Sequence, residues 1–169
     1  MMTPVSSASD SGRSDGVAFL LAQLGHHAAG LFAETIVTLD LTPPHAGILR
    51  AIASEPGPSQ QSLSVQLGLL PSRVVAYVDE LEDRGYVERR RNPSDRRLHA
   101  LFLTPAGKKL MRRLSELARR HEHQMTASLD AVQRDMLREL LTTVARDQGL
   151  MPHVHPGYRS LGRVAKPAE

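Results

Sequence analysis

The segment from residue 71 to residue 97 constrains the fold of this chain most strongly. Its sequence, PSRVVAYVDELEDRGYVERRRNPSDRR, predicts one amphipathic helix followed directly by a hairpin. Six arginines lie between Arg84 and Arg97, against only Glu88 and Asp95, so this window carries +4 while the whole chain carries +3. The positive charge is therefore local. Such a charge attracts polyphosphate and releases condensed counterions, which favours a DNA-binding surface.

A second short helix is predicted immediately before this one. Ser59 is suited to cap it, and Leu63 and Leu67 lie one turn apart on one face. Gly68 ends that helix and Pro71 opens the next one. Two short helices joined by a tight glycine-containing turn predict a helix-turn-helix.

A helical wheel divides the helix over residues 71–84 into two faces. Val74, Val78 and Leu81 fall together and predict the face toward the core. The residues that we expect to contact DNA from the other face are Ser72, Arg73, Ala76 and Tyr77. Arg73 can donate two hydrogen bonds to a guanine edge, and Ala76 can touch a thymine methyl. An ordinary amphipathic surface helix would show the same pattern.

The hairpin after Gly85 predicts a two-stranded wing over residues 86–103, with a turn at Asn92-Pro93-Ser94. Its expected DNA contacts are Arg89, Arg90 and Arg91 at phosphates, and Asp95, Arg96 and Arg97 at the tip. Arginine enters a narrow minor groove favourably, and a neighbouring carboxylate can orient its guanidinium. A charged loop alone is usually only solvated, but its position beside a helix-turn-helix favours DNA contact.

The remaining segments complete a mainly α fold with a small β wing, of the α+β class. We predict a loose arm at 1–15, a long helix at 16–40, a winged helix-turn-helix at 41–104, two long helices at 105–147 and an irregular tail at 148–169. The apolar stripes of the terminal helices exceed what a small winged domain needs for its core. A symmetric homodimer is therefore expected.

Composition excludes several function classes. The chain has no cysteine, which excludes disulfides, thiolate metal sites and thiol-based redox sensing. It has no apolar run of about 18 residues and no signal-like N-terminus, so we expect a cytoplasmic, nucleoid-associated protein without a membrane partner. We find no catalytic constellation or phosphate loop. The expectation is a protein that is not an enzyme and carries no cofactor.

Taken together, the order of elements resembles the MarR family of bacterial transcriptional regulators. The resemblance covers roughly residues 17–147 and is carried by LGLLPSRVVAYVDELEDRGYVERR, NPSDRR and LFLTPAGKKL. Its most specific residues are Asp95 and Arg97, followed by Leu103, Thr104 and Gly107. The resemblance implies a triangular homodimer on a palindromic operator, with the reading helix in the major groove and the wing in the minor groove. It also implies a small ligand that usually releases the DNA, so a ligand-responsive repressor is expected.

The expected ligand pocket and its alternatives depend on histidines. In this architecture the pocket walls would come from the first helix, the second helix and the start of the fifth, which points to His26, His27, Phe32 and His45. We expect no resident metal, because His121 and His123 face opposite sides of a helix. Two alternatives stay open. One is a zinc-type regulator of the same fold, and the other is a winged-helix protein-interaction module that does not bind DNA.

Overall fold

The computed structural model describes residues 16–91 and 99–150. Its elements are α1 (Val17–Val37), α2 (Pro43–Ser54), α3 (Gln60–Leu67), α4 (Pro71–Asp83), β1 (Val87–Arg91), β2 (His99–Leu103), α5 (Pro105–Met125) and α6 (Ala131–Asp147). A mainly α fold with a two-stranded antiparallel sheet confirms the predicted fold class. The predicted arm, the wing tip with Asp95, Arg96 and Arg97, and most of the predicted tail lie outside the described residues. Over 16–91 and 99–150, no helix is long and apolar enough to cross a membrane.

The short helices start and stop where local chemistry directs them. Pro71 stands in the first turn of α4, where its missing N–H costs no hydrogen bond. The Ser59 hydroxyl caps α3 by accepting from the Ser62 backbone N–H at 3.0 Å. Gly68 ends α3 in the left-handed region with φ 64°, a conformation that glycine adopts without strain. The predicted helix-turn-helix is therefore present in α3 and α4.

The core lies inside the winged region. Val74, Val78 and Leu81 of α4 are all completely buried, as the wheel predicted. They join Leu63 of α3 and Leu101 of β2 in one apolar cluster with side chains from α2 and the first half of α5. Burying a side chain of this size contributes about 1.5–3 kcal/mol. The α4 helix is thus anchored through one face, and its opposite face stays free.

The wing stem is attached to the body along both edges of β2. On one edge β2 pairs with β1, with Val87 opposite Leu103 and Arg89 opposite Leu101. On the other edge, the Gly57 N–H donates to the Leu101 carbonyl at 2.9 Å, and the Leu101 N–H donates to the Pro58 carbonyl at 3.0 Å. The loop between α2 and α3 therefore holds the wing stem in place through two backbone hydrogen bonds.

The start of α5 packs directly against the backbone at the start of the wing. The Thr104 hydroxyl donates to the Gly85 carbonyl at 2.6 Å and accepts from the Gly107 N–H at 3.0 Å. A Cβ at Gly107 would lie 2.0 Å from the Tyr86 carbonyl oxygen, closer than atoms can pack. This contact explains why the motif that begins at Leu103 needs threonine and then glycine.

The terminal helices differ from the body in burial. Among the residues of α6 none is buried, and in α1 only Ile36 is. Val132, Met136 and Leu140 of α6 are 71%, 59% and 60% exposed. Phe19 of α1 is 56% exposed. These helices therefore present apolar stripes that residues 16–91 and 99–150 do not cover.

Candidate nucleic-acid interface

The exposed face of α4 carries most of the predicted reading residues. Ser72, Arg73 and Ala76 are exposed. Tyr77 is only partly exposed, because its ring packs edge-on against His45 with ring centroids 5.0 Å apart and planes at 78°. Three of the four predicted residues are thus accessible to DNA, and Tyr77 also belongs to the body.

Arg89 joins the wing to α4. Its guanidinium contacts the carboxylates of both Asp79 and Glu82, and its backbone N–H donates to Glu82 Oε1 at 3.3 Å. Only 21% of the side chain is exposed. Burial alone lowers the pKa of Arg89, but the hydrogen bonds and charges of Asp79 and Glu82 outweigh it and raise the pKa overall. The guanidinium therefore stays charged and engaged within the protein.

This placement pairs Arg89, which was predicted to contact phosphate, with two carboxylates of the protein itself, and the phosphate contact stays a prediction. Side chains alternate along a strand, so Arg89 lies on the same face as Val87, toward α4. Asp79 and Glu82, three residues apart on one helix face, supply the carboxylates. Both signals are readable in the sequence, but counting the charges of residues 84–97 alone did not include the acids of α4.

Arg90 lies on the opposite face of β1 from that contact, whereas Arg91, at the end of the strand, shares the face of Arg89. Arg90 lies over the Phe102 ring, 4.7 Å from its centroid, and its Nε donates to Glu88 Oε1 at 3.1 Å. Arg91 is exposed. Within the part of the chain that the structure describes, no acidic side chain pairs with Arg91. Of the described wing arginines, Arg91 is thus the one whose charge is least compensated.

The opposite flank of α4 is also engaged. Arg84 donates to the Asp40 carbonyl oxygen at 2.6 Å and contacts the Asp40 carboxylate. His45 Nε2 lies 2.9 Å from Glu80 Oε2. The arginine cluster identified in the sequence is therefore partly neutralised by acids from outside it, and Arg84 in particular serves a contact between α4 and the turn after α1.

The predicted ligand residues are not brought together. His26 and His27 are exposed on α1, and Phe32 packs against His121 with centroids 5.7 Å apart. His45 is buried, and its burial lowers its pKa although Glu80 opposes the shift. Across the described ranges, no group of three or more His, Cys, Asp or Glu residues could hold a metal ion.

A cavity of about 260 Å³ lies elsewhere, between the end of α2, the wing stem and the start of α5. Its walls combine apolar and cationic side chains, among them Ile52, Phe102, Met111, Arg90 and Lys108. This cavity was not predicted from the sequence, although strand alternation puts Arg90 and Phe102 on one face of the wing.

Comparison with known proteins gives a consistent picture. A model described as "MarR family" matches residues 39–98. A putative transcriptional regulatory protein for the hcr operon of Thauera aromatica is 34% identical over 122 residues, covering 72% of this chain and 74% of that protein.

Two solved structures with a similar fold are also transcriptional regulators. The transcriptional repressor CouR, bound to a 23-mer DNA duplex, is 34% identical with a TM-score of 0.68, covering 78% of this chain and 94% of CouR. The PcaV transcriptional regulator from Streptomyces coelicolor is 30% identical with a TM-score of 0.62, covering 79% of this chain and 98% of PcaV. These relatives are described as regulators of transcription and not as enzymes.

Proposed function

Because the chain belongs to the MarR family and is a transcriptional regulator, we propose that it is a homodimeric repressor that binds a palindromic operator. The observation that carries this proposal is the division of α4. One face is completely buried through Val74, Val78 and Leu81, and the opposite face exposes Ser72, Arg73 and Ala76 beside a basic wing. The DNA-bound structure of CouR, which has a similar fold, supports DNA as the partner.

Each accessible residue has a chemistry that suits a groove. Arg73 would donate to a guanine edge, Ala76 would touch a thymine methyl, and Ser72 would bond to a base or a phosphate. Arg91 would contact phosphate from the wing stem. From the sequence, Arg96 and Arg97 would enter the minor groove with Asp95 orienting a guanidinium.

A dimer is proposed from the uncovered apolar stripes of α1 and α6. Water-exposed Val132, Met136 and Leu140 on one helix are unfavourable for an isolated chain. A second copy would cover them isologously and would place two α4 helices on adjacent major grooves, about 34–36 Å apart.

The effector is proposed to be a small organic anion with a planar apolar body, bound in the 260 Å³ cavity. Arg90 and Lys108 would hold its carboxylate, and Phe102 and Met111 would contact its apolar part. Because Arg90 and Phe102 belong to the wing, a ligand there would shift the wing relative to α5. Thermal shifts with benzoate and its hydroxylated derivatives, alone and in Arg90→Ala, test this site. A shift with Zn²⁺ alone would instead favour the zinc-type alternative.

DNA binding is tested with a duplex selected from a random-sequence pool by the wild-type protein. If Z phosphates are neutralised, log K falls against log salt with a slope of about −0.9Z. Arg91→Ala should reduce that slope by about one unit, whereas Arg73→Ala should relax base preference at one position of each half-site by about 1–3 kcal/mol. A flat salt response, or no duplex enriched from the pool, would point instead to a protein-interaction module.

A further inference from the structure

A buried histidine links the first turn of α2 to α4. The His45 side chain is 5% exposed and both of its ring nitrogens are within hydrogen-bond distance of a partner. Nδ1 lies 3.2 Å from the Thr42 backbone nitrogen and 2.9 Å from Thr42 Oγ1. Nε2 lies 2.9 Å from Glu80 Oε2 on α4. A single side chain therefore completes the start of α2 and contacts α4.

These distances indicate which ring nitrogen of His45 carries the proton. The Thr42 N–H can only donate, so Nδ1 must accept and the ring proton resides on Nε2. Nε2–H then donates to the Glu80 carboxylate, which gives a charge-assisted hydrogen bond with a neutral imidazole. The link between Thr42 and Glu80 is directional, unlike the apolar contacts on the core face of α4.

A second contact from the same turn lies next to it. Asp40, whose φ is 56°, accepts from Arg84 through its carbonyl oxygen at 2.6 Å and also contacts the guanidinium through its carboxylate. On a helical wheel, Glu80 and Arg84 lie within about 40° of one another, with Tyr77 close beside them. Residues 40–45 therefore hold one flank of α4 over about two turns.

The wing holds the other flank. Asp79 and Glu82, which Arg89 engages, lie within about 60° of one another and on the opposite side of Ser72 and Ala76 from Glu80. Ser72 and Ala76 of the face proposed to read DNA thus lie between two sets of polar contacts, and Arg73 lies at the edge next to Glu80. Packing of Val74 and Val78 buries one face of α4 without directional bonds, whereas hydrogen bonds depend on angle and add a directional restraint on rotation.

We propose that His45 is a positioning residue for DNA recognition, which joins the turn between α1 and α2 to Glu80 and thereby sets the rotation of α4 about its own axis. This inference rests on the proposed DNA binding. Glu80 itself is 55% exposed and buries little apolar surface, so its bond to His45 serves orientation more than the stability of the core.

Acid should weaken the link. The groups that face His45 are Glu80 and Arg84 of α4 and Asp40 of the preceding turn, with the Tyr77 ring beside it. Burial lowers the pKa of His45, Glu80 and Asp40 oppose the shift, and Arg84 adds to it. Adding a proton to Nδ1 would place two donors, Nδ1–H and the Thr42 N–H, against each other. Protonation would therefore break the hydrogen bond that Nδ1 accepts from the Thr42 backbone N–H.

Glutamine at position 45 provides the matched variant. Its side-chain oxygen can accept from Thr42 and its amide can donate to Glu80, so His45→Gln keeps both bonds but does not titrate. His45→Ala removes both bonds, and Glu80→Ala removes the α4 end while leaving the cap of α2 intact. Affinity for the selected duplex is measured for each variant from pH 5.5 to 8, beside affinity for a random-sequence duplex and thermal unfolding.

We expect His45→Ala and Glu80→Ala to weaken binding to the selected duplex about tenfold or more, and the double variant to add little to either. Binding to the random duplex should change by less than about twofold, because it depends on phosphate charge. His45→Gln should retain wild-type affinity and lose the excess weakening at acid pH. Unchanged affinity in Glu80→Ala, or equal losses in His45→Gln and His45→Ala, would overturn the inference. If the wild type itself enriches no duplex, the proposed function fails instead.

Discussion

The winged region and the terminal helices carry apolar residues of the same types, but these residues are buried within the chain in the first and exposed in the second. Leu63 in α3 is completely buried within the chain, whereas Leu140 in α6 is 60% exposed. Both lie on amphipathic helices with regular spacing. In the winged region three helices and the sheet surround one core, so every stripe meets another stripe.

The difference shows that periodicity identifies a face but not its partner. An apolar stripe indicates that one face of a helix packs against another apolar surface. Whether the covering surface belongs to the same chain or to a second copy depends on how many stripes converge. No residue of α6 is buried by the described part of the chain. A partner would therefore bury the most apolar surface at this helix.

The largest effect is expected from charge placed on the α6 stripe. Met136→Glu combined with Leu140→Glu should cost about 3 kcal/mol or more at each site in dimerisation, because apolar contact is lost and a carboxylate is desolvated. Sedimentation should then show monomers with an intact helical spectrum. Thr142→Glu, on the opposite face of α6, is the matched control and should remain dimeric. Monomers in both variants, or in neither, would remove this stripe from the interface.

A large effect is also expected inside the body at Gly107. A Cβ there would meet the Tyr86 carbonyl at 2.0 Å, so Gly107→Ala must displace backbone and should lower the free energy of unfolding by roughly 3 kcal/mol. Ala106→Gly, its neighbour, should cost only about 0.5–1 kcal/mol through backbone entropy. Chemical denaturation measures both. Equal costs would mean that α5 does not pack on the wing at this distance.

A smaller effect on stability is expected from removing ion pairs, and it should differ between Arg89 and Arg138. Arg89→Ala removes two partly buried ion pairs from the body and should cost about 1 kcal/mol, since Asp79 and Glu82 are themselves 53% and 36% exposed and are screened by water. Arg138→Ala removes an exposed pair with Asp135 on α6 and should change stability by less than about 0.5 kcal/mol. Arg89→Ala should also leave the salt slope of DNA binding nearly unchanged. If the slope of log K against log salt fell by one unit in Arg89→Ala, Arg89 would be a phosphate contact as first predicted.

The smallest effect concerns pH. The pKa of His45 is lowered in the folded chain from its ordinary value of 6.5, so the unfolded chain binds more protons as the solution is acidified. The stability contributed by neutral His45 is therefore present above about pH 6.5 and is lost as pH falls through that value toward the folded pKa. Urea unfolding from pH 7.5 to 5 should show a steeper decline in wild type than in His45→Gln. Parallel curves would contradict this assignment.

Local chemistry made much of the winged region predictable. Ser59, Gly68 and Pro71 act through their own backbone and neighbours, and the spacing of Val74, Val78 and Leu81 follows from helix geometry alone. The exposed side of α4 could be named for the same reason. The contacts of Arg89 and His45 were not predicted, because their partners lie on other elements and a charge count over residues 84–97 does not include those partners.

What the sequence by itself determined is the order and limits of the elements, the family and the face of α4 that is free. What only the tertiary structure decided is which charges remain available. It directs Arg84 to Asp40, Arg89 to Asp79 and Glu82, and His45 to Glu80. The physical reason is that periodicity and capping act over a few residues, whereas an ion pair forms between groups that folding brings together from distant parts of the chain.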